Sequence, residues 1–295
     1  METEPGYYLV DGTWRIHDGE AAREALALQN DAAYFVPGKG VVQVPVARWR
    51  QAQEAEKHLW VDLARGADDD RNLEHAARFD GYEAIRGERF PRAIELGCGP
   101  FTNLRIIADV CDVRSCDLLD PNLDSYRRLR HCRYRGRYLL GETSRLPRLW
   151  ERVLRRLPGG DAVRRLAHPG SVRIDRRIVG PIEVMPQDRV YDLAIMVNVI
   201  EHCYDAPSIL RMISAIVRPG GVLVFHEKAF AAAVVATRIE RAWDIGHPLL
   251  VDASIYRDFF AAHFNIVFEN SFPVSTVLGG CDLSYESGYV IARRR

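Results

Sequence analysis

The chain has 295 residues, of which 47% are hydrophobic and 27% are charged, a composition that excludes a mainly disordered protein. Forty basic and forty acidic side chains give a formal net charge of zero, which disfavours binding to nucleic acid through overall charge. No run of eighteen apolar residues is present, so we predict no membrane helix. Residues 1–10 contain Glu2 and Glu4 and do not have the pattern of a signal peptide, so we expect a cytoplasmic protein.

The first 89 residues are predicted to form a mostly helical cap. We expect helices over residues 20–29, 47–64 and 73–85, and a short extended piece over residues 41–45. In the second of these helices, four side chains share one face because their spacing follows the helical repeat; they are Trp49, Gln53, Glu56 and Trp60.

From residue 90 onward, short apolar runs alternate with amphipathic segments. Strands are predicted at residues 93–96, 113–119, 191–197, 222–226, 266–269 and 288–292, and helices at residues 103–110, 204–217, 229–243 and 253–263. This alternation predicts an α/β fold with a mostly parallel sheet. Because no helix separates the last two strands, we expect the last strand to be antiparallel.

Residues 127–178 interrupt the alternation with sixteen arginines and only four acidic residues. Within them, residues 146–157 have apolar side chains at helical spacing, so we expect a helical insertion with an arginine-rich face. The arginines could hold RNA, a phosphorylated substrate or an acidic carrier protein. Alternatively, they form a solvated face while the apolar stripe packs inward or makes a homodimer interface. We favour the second explanation because the whole chain is neutral.

The six cysteines form no C-x-x-C pair, and the histidines and acidic residues show no coordination pattern. Zinc and redox sites usually have such regular spacings. We therefore expect reduced, mostly buried thiols and no metal site.

A glycine-rich turn follows the first strand of the α/β region, in Glu95-Leu96-Gly97-Cys98-Gly99-Pro100. Glycines let backbone N–H groups approach a ligand closely, and the N-terminus of the next helix favours negative groups. A tight turn between a strand and a helix would also explain these glycines.

An acidic residue is found about twenty positions later, at the end of the next predicted strand. A carboxylate at this place can accept hydrogen bonds from both hydroxyls of a ribose. Asp117 and Asp120 both fit, and we favour Asp120 because Pro121 would end the strand there. The alternative for either residue is a helix N-cap.

The buried strand predicted over residues 191–197 ends in Asn198-Val199-Ile200-Glu201-His202. After the next helix, Arg218-Pro219-Gly220-Gly221 leads into another strand. Open α/β sheets bind their ligands at the carboxyl ends of the strands, so the polar loop after residue 197 is expected to face a ligand.

Taken together, these segments resemble the class I S-adenosylmethionine-dependent methyltransferases, from residue 90 to the C-terminus without the insertion. Residues 182–186 also resemble the acid-x-x-Pro loop that lies beside the adenine in that family. The resemblance implies a Rossmann-like sheet, S-adenosylmethionine as cofactor, and methyl transfer to a small molecule. The implied cofactor-binding residues are Glu95, Gly97, Cys98, Gly99, Pro100, Asp120 or Asp117, Glu183, Asn198, Val199, His202 and Tyr82.

Two departures from the family pattern affect this assignment. Phe101 and Thr102 stand where the first motif would have a further glycine, which could change how the loop holds the methionine part of the donor. The insertion also separates the second strand from Glu183 by an unusual length, so Glu142 is a rival for the adenine-side acid.

A sulfonium methyl group is already activated, so the enzyme mainly supplies orientation, and a base is needed only for an acceptor that holds its proton tightly. The candidate catalytic residues are His226, Glu227 and His247, which are predicted near the carboxyl edge of the sheet. A purely structural role is the alternative for each histidine, and we favour that role for His202. Candidate substrate-binding residues are Tyr34, Trp49, His226 and His247.

The expected reaction is methyl transfer to an oxygen or nitrogen atom of a small molecule, in secondary metabolism. Three rivals stay open at this point. One is an RNA or protein methyltransferase that uses the arginine-rich insertion to hold its substrate. The second is a nicotinamide-dependent oxidoreductase, and the third is a cofactor-binding protein without catalytic activity.

Overall fold

The computed structural model describes twelve stretches of the chain. They are residues 6–10, 13–17, 34–36, 40–62, 70–139, 141–142, 171–231, 234–235, 246–275, 277–278, 281–282 and 284–295. The predicted helix over residues 20–29 and the predicted amphipathic helix over residues 146–157 lie outside these stretches. Among the described residues, no helix combines the length and the apolar character needed to cross a membrane.

The N-terminal part contains strands that the helical prediction missed. The strands are β1 (Gly6–Val10), β2 (Thr13–His17), β3 (Tyr34–Val36) and β4 (Gly40–Gln43). They form an antiparallel sheet in the order β11-β4-β3-β1-β2, in which β11 (Leu250–Val251) comes from the far end of the chain. The expectation of a mostly helical segment is therefore wrong for β1 to β3. Alternating aromatic and aliphatic residues, such as Tyr7, Leu9 and Trp14, favour strands here.

Two helices, each followed by a short segment of another helical type, connect this small sheet to the rest of the protein. Helix α1 (Val46–Lys57) continues as a π-helical turn (His58–Asp62), and α2 (Asn72–Arg78) continues as a 3-10 helix (Asp80–Ile85). The single helix predicted over residues 73–85 is thus broken. The backbone turns left-handed at Gly81 and Tyr82, with φ of 61° and 62°, and a regular α-helix does not accommodate this conformation.

The central sheet has eight strands in the order β12-β15-β10-β9-β5-β6-β8-β7. Its strands are β5 (Arg89–Leu96), β6 (Asp112–Leu119), β7 (Tyr138–Leu139), β8 (Val172–Ile178), β9 (Tyr191–Val197), β10 (Val217–Ala229), β12 (Phe264–Val274) and β15 (Tyr285–Arg294). The five strands from β10 to β8 in this order pair in parallel, and β15 pairs antiparallel with both β10 and β12. The mostly parallel, Rossmann-like sheet and its antiparallel last strand are confirmed. A separate short hairpin joins β13 (Val277–Leu278) to β14 (Cys281–Asp282).

The remaining helices are α3 (Leu104–Val110), α4 (Leu123–Tyr126), α5 (Ala206–Ile216) and α6 (Ala253–His263). The helix predicted over residues 229–243 does not begin at Ala229, because this residue ends β10. Only residues 234–235 of that segment are described as helical, and residues 236–245 lie outside the described stretches.

Part of the predicted helical insertion is a strand. Residues 172–178 form β8, which pairs in parallel with β6 and belongs to the central sheet. The polar composition of this strand hid it, because Arg173 and Arg176 form ion pairs with Asp175 and Asp117 instead of pointing into an apolar core.

Alternating side chains of the sheet pack into two apolar layers, one on each face. Ile94 and Met196 belong to the layer that contains α5 and α6, whereas Ala93 and Ile195 belong to the layer that contains α3. This arrangement follows from the two-residue repeat of a strand that is covered by helices on both faces. The parallel strands β5, β6, β9 and β10 end at the same edge, and the polar loops that follow them meet there.

Candidate active site

A cavity of about 290 Å³ opens where the parallel strands end. Its walls come from α1, α2, the turn after β5, the loops after β6, β8 and β9, the end of β10 and the loop before β11. Its lining includes Trp49, Gln53, Glu56, His75, Gly97, Cys98, Gly99, Pro100, Asp120, Glu183, Asn198, Val199, His202, Lys228 and His247. Most of the candidate residues named from the sequence line this cavity.

The glycine-rich turn forms the floor of the cavity beside β5. Gly97 has φ of 66°, and a Cβ at this position would lie 2.6 Å from Cγ2 of Val199. Both observations require glycine. Gly99 has φ of 52°, but a Cβ at this position would meet open space; its N–H donates to Oδ2 of Asp120 at 3.1 Å. The turn thus leaves room at Gly99 for a ligand to approach the backbone.

The carboxylate of Asp120 is held at the cavity wall by backbone groups on both sides. Its Oδ2 accepts from Gly99, and its Oδ1 accepts from the N–H of Asn122 at 2.7 Å. Burial raises the pKa of Asp120 to about 6, against the opposing effect of these two hydrogen bonds. A carboxylate that is fixed in this way can still accept hydroxyl donors from the cavity, because each oxygen has two acceptor sites.

Glu183 offers a polar atom that lacks a partner within the described part of the chain. Its Oε1 accepts from the N–H groups of Tyr204 and Asp205 at 2.7 and 3.1 Å, while its buried Oε2 accepts no hydrogen bond there. Buried polar atoms are normally satisfied, so an unsatisfied one in a cavity wall is suited to a ligand's donor. Its rival Glu142 lies elsewhere and pairs with Arg105 at 2.5 Å.

Three side chains predicted to bind the cofactor contact other parts of the protein and do not line the cavity. Glu95 accepts from the N–H groups of Asn103 and Leu104 at 2.7 and 3.2 Å, and so fixes the start of α3. Asp117 is fully buried and pairs with Arg176 at 2.8 Å. Tyr82 is fully buried and stacks on a neighbouring phenylalanine ring.

Two of the three catalytic candidates lie in the protein interior. His226 is 3% exposed, and its Nε2 is 3.0 Å from Oγ of Ser287. Burial lowers the pKa of His226 well below its ordinary value, so its imidazole is neutral. Glu227 is 2% exposed, and its Oε1 accepts from the N–H groups of Val199 and Ile200 at 2.8 Å each. These contacts assign Glu227 to the support of the loop after β9.

The third catalytic candidate, His247, does face the cavity and belongs to a group that the sequence did not reveal. We call Glu56, Glu201, His202 and His247 the histidine–glutamate cluster. The rings of His202 and His247 have centroids 4.5 Å apart, and Oε1 of Glu201 lies 3.7 Å from Nε2 of His202 and 3.6 Å from Nε2 of His247. The cluster brings together α1, the loop after β9 and the loop before β11.

Lys228 balances part of the charge of this cluster. Its Nζ lies 2.6 Å from Oε1 of Glu201. Burial alone would raise the pKa of Glu201, but Lys228 and the two histidines outweigh burial and lower that pKa to about 2. Burial lowers the pKa of His202, so its ring is neutral at pH 7.

Helix α1 lies over the cavity and is attached to its walls by specific contacts. The side-chain amide of Gln53 donates to the carbonyl oxygen of His202 at 2.8 Å, and the ring of Trp49 lies 5.6 Å from that of Tyr204. The helical face noted in the sequence is therefore the face that closes the cavity. For Tyr34 only the backbone, in β3, is described.

His75 is a cavity residue that sequence reasoning missed. Burial lowers its pKa to about 4, with the charge of Arg71 adding to the effect, and its Nδ1 is 3.0 Å from the hydroxyl of Tyr289. A neutral imidazole at the cavity wall can accept a proton. Its position in a short helix far from the sheet motifs gave no local signal of this role.

Comparison with known proteins gives one extended match in sequence. The model of a family described as "Methyltransferase domain" matches residues 43–265, which is more than half of the chain. No curated protein matches the chain.

Solved structures resemble the chain at low identity. The N-methyltransferase NodS from Bradyrhizobium japonicum WM9, in complex with S-adenosyl-L-homocysteine, is 15% identical, with 83% of this chain and 98% of that chain covered and a TM-score of 0.46. TehB from Haemophilus influenzae is 12% identical, with 81% and 67% covered and a TM-score of 0.45. The mitomycin 7-O-methyltransferase MmcR is 14% identical, with 83% and 60% covered and a TM-score of 0.44. These likenesses are too distant to transfer an activity.

Proposed function

The chain belongs to the methyltransferase-domain family, with S-adenosylmethionine as the methyl donor, and from this premise we propose that it methylates an oxygen or nitrogen atom of a small molecule. The observation that carries the proposal is the cavity itself. It is a pocket of about 290 Å³ between the glycine-rich turn and α1, and a concave site with a few polar groups is typical for small-molecule ligands.

The donor-binding part of the proposal rests on three groups in the cavity wall. Asp120 would accept hydrogen bonds from the ribose hydroxyls, and Glu183 would accept one through its unsatisfied Oε2. The turn at Gly97 and Gly99 would lie against the methionine part, where Gly99 leaves open space. Asn198 and Val199, which also line the cavity, would complete this side.

When bound, the donor supplies an activated methyl group on a sulfonium. The protein's contribution is then to orient the acceptor and exclude water, which can account for a large part of the rate. Helix α1 would exclude water, because Trp49 and Gln53 hold it across the cavity. An acceptor that must lose a proton could pass it to the imidazole of His75, which lines the cavity and is neutral at pH 7 because burial lowers its pKa to about 4.

The contacts of the three arginines in β8 support a small acceptor over RNA. In β8, Arg173 pairs with Asp175 at 2.7 Å, Arg176 pairs with Asp117 and Asp188, and Arg177 donates to the carbonyl oxygen of Tyr134 at 3.1 Å. Arginines that are held by internal partners are not available as a phosphate-binding row.

We retain residues 1–89 as a lid, residues 90–295 as the donor-binding domain, and natural-product biosynthesis as the setting.

Calorimetric titration with S-adenosylhomocysteine tests donor binding without needing the acceptor, and NADH is the control. We expect one-to-one binding of S-adenosylhomocysteine at micromolar concentration and no binding of NADH. Binding of NADH alone would contradict the proposal in favour of an oxidoreductase.

Turnover with labelled S-adenosylmethionine then tests the acceptor class. We expect label in small phenols, hydroxy acids or amines, and none in transfer RNA or protein. Label in transfer RNA, together with salt-sensitive retention on heparin, would contradict the small-molecule assignment and support a methyltransferase that uses the arginine-rich insertion.

A further inference from the structure

The histidine–glutamate cluster has a composition that the transfer of an activated methyl group does not require. Glu56 comes from α1, Glu201 and His202 from the loop after β9, and His247 from the loop before β11. Three of these residues line the cavity, and Glu201 lies behind them with a side chain that is 5% exposed. Imidazole and carboxylate groups together are the ligands that bind first-row transition metals in proteins.

The distances within the cluster are close to those around a metal ion. One potential ligand atom from each of Glu56, His202 and His247 lies within 4.8 Å of the others. Oε1 of Glu201 is 3.6 and 3.7 Å from the two Nε2 atoms. Donor atoms that share an ion at about 2.1 Å are roughly 3.0–3.5 Å apart, so only small side-chain movements separate this arrangement from a coordination shell.

The hydrogen bond of His202 selects the tautomer that a ligand needs. Its Nδ1 is 3.0 Å from the carbonyl oxygen of Gly246, an acceptor, so Nδ1 carries the hydrogen. The lone pair then belongs to Nε2, which lies 3.7 Å from Oε1 of Glu201. Oε1 of Glu56 lies 3.5 Å from Nδ1, so binding of the ion also requires the Glu56 side chain to turn towards Nε2. Histidine ligands in metalloproteins are commonly oriented by such a bond from the other ring nitrogen.

The charges of the cluster also favour a cation. Glu56 and Glu201 bring two negative charges to this end of the cavity, and Lys228 offsets one of them through its 2.6 Å contact with Glu201. We propose that Glu56, His202 and His247 bind one divalent transition-metal ion, with Glu201 as the neighbouring negative charge. Because Lys228 stays beside Glu201, it competes electrostatically with the ion and sets an upper limit on its affinity.

The proposed ion would lie in the cavity wall, where its open positions face the acceptor. If the proposed methyl transfer is correct, the ion would hold an oxygen of the acceptor and promote the loss of its proton. This consequence rests on the proposed function and narrows the acceptor to a molecule with a hydroxyl or a carboxylate that can ligate a metal. Metal binding itself does not depend on it.

The test uses the full chain after treatment with a chelator. Zn²⁺ is titrated by calorimetry, and Co²⁺ is titrated by visible absorption, which reports the coordination geometry of the bound ion. We expect one ion per chain, and an affinity at least about tenfold weaker in His247→Ala and in Glu56→Gln. The control His263→Ala alters a histidine on α6 outside the cluster and should bind as the wild type does. The Lys228→Met variant should bind the ion more tightly than the wild type, because the competing positive charge beside Glu201 is removed.

Absence of stoichiometric binding by the wild-type chain would overturn the inference, as would wild-type affinity in both ligand variants. S-adenosylhomocysteine affinity is measured on the same samples and separates this result from the fate of the proposed function. Retained S-adenosylhomocysteine binding without metal binding would remove the ion and leave the proposed methyl transfer intact. Retained S-adenosylhomocysteine binding also shows that a variant is folded.

Discussion

The two ends of the cavity are built in different ways. Most of the proposed donor end, namely Gly97, Gly99 and Asp120, lies within twenty-four residues of sequence, and its contacts are mostly to backbone N–H groups. Glu183 joins it from the loop after β8. The opposite end consists of the histidine–glutamate cluster, whose members come from residues 56 to 247 and meet only in the folded protein. A short stretch of sequence can specify the first end, whereas only tertiary structure can reveal the second.

The largest expected effect is at the donor end. Asp120→Asn should weaken S-adenosylhomocysteine binding about 10- to 100-fold, since a hydrogen bond to a charged group contributes about 1.5–3 kcal/mol. Calorimetry measures the loss. Asp117→Asn is the matched control, because Asp117 pairs with Arg176 and Tyr191 away from the cavity lining; its affinity should stay within about twofold. Equal losses in both variants would disprove the assignment of the donor end to Asp120.

At the cluster, the expected effect is on stability. Glu201 has its pKa lowered to about 2 because Lys228 and the histidines outweigh burial, so the folded state favours the ionised form. This stabilisation is present above the ordinary pKa of about 4.5 and is lost as the pH falls towards 2. Glu201→Gln should therefore lower the free energy of unfolding by about 2 kcal/mol at pH 7, allowing for the partial exposure of Lys228.

Denaturant titration of chelator-treated protein at pH 7 and pH 3 tests the effect of Glu201→Gln. The difference between variant and wild type should shrink at the lower pH. A constant difference at both values would mean that packing, and not the charge of Glu201, is responsible.

Two glycine variants sharpen the description of the donor end. Gly97→Ala should cost about 2 kcal/mol of stability, because a positive φ is unfavourable for alanine and the new Cβ would lie 2.6 Å from Val199. Gly99→Ala has only the backbone penalty, about 1 kcal/mol. Thermal unfolding measures both. In the Val199→Ala background, Gly97→Ala should become less costly; an unchanged cost would contradict the steric explanation.

The smallest expected effect is a pH dependence of donor binding. Burial raises the pKa of Asp120 to about 6, so its carboxylate is ionised above that pH and can accept two hydroxyl donors. Below pH 6 it becomes protonated and loses an acceptor position, so S-adenosylhomocysteine affinity should fall by up to about tenfold by pH 5. Asp120→Asn should remove this dependence. A dependence that persists in the variant would point to a different titrating group.

Much of the fold could be predicted because its signals are local. Residues 191–197 are apolar except for Asp192 and form β9 with the predicted bounds, and α6 begins and ends as its apolar spacing predicted. β8 escaped prediction because arginines stand where a buried strand usually has apolar residues, and one of them, Arg176, pairs with Asp117, an acid that is distant in sequence. The burial of Asp117 could not be predicted from the sequence of β6 alone, because its partner Arg176 lies 59 residues later, in β8.

At the candidate site, residue types were easier to predict than roles. Glu95 and Glu227 are carboxylates at strand ends, as a ligand-binding role requires, but both accept backbone N–H groups of neighbouring loops. His226 and Lys228 are two residues apart and point to the same face of β10, yet only Lys228 reaches the cavity lining. Which of such groups faces a ligand depends on loop conformations that one sequence pattern does not encode.

The pairing of β11 with β4 has a practical consequence for shortening the protein. Leu250 and Val251 complete the N-terminal sheet through Val41 and Gly40, and the N–H of Phe230 also donates to Val251. Deleting residues 1–42 would remove both partners of β11 and leave its apolar side chains on an unpaired strand edge, and such edges promote aggregation. A truncation designed from the family match alone, which begins at residue 43, should therefore yield an insoluble product. Expression of the N-terminal fragment from a second plasmid should restore the missing partner strand.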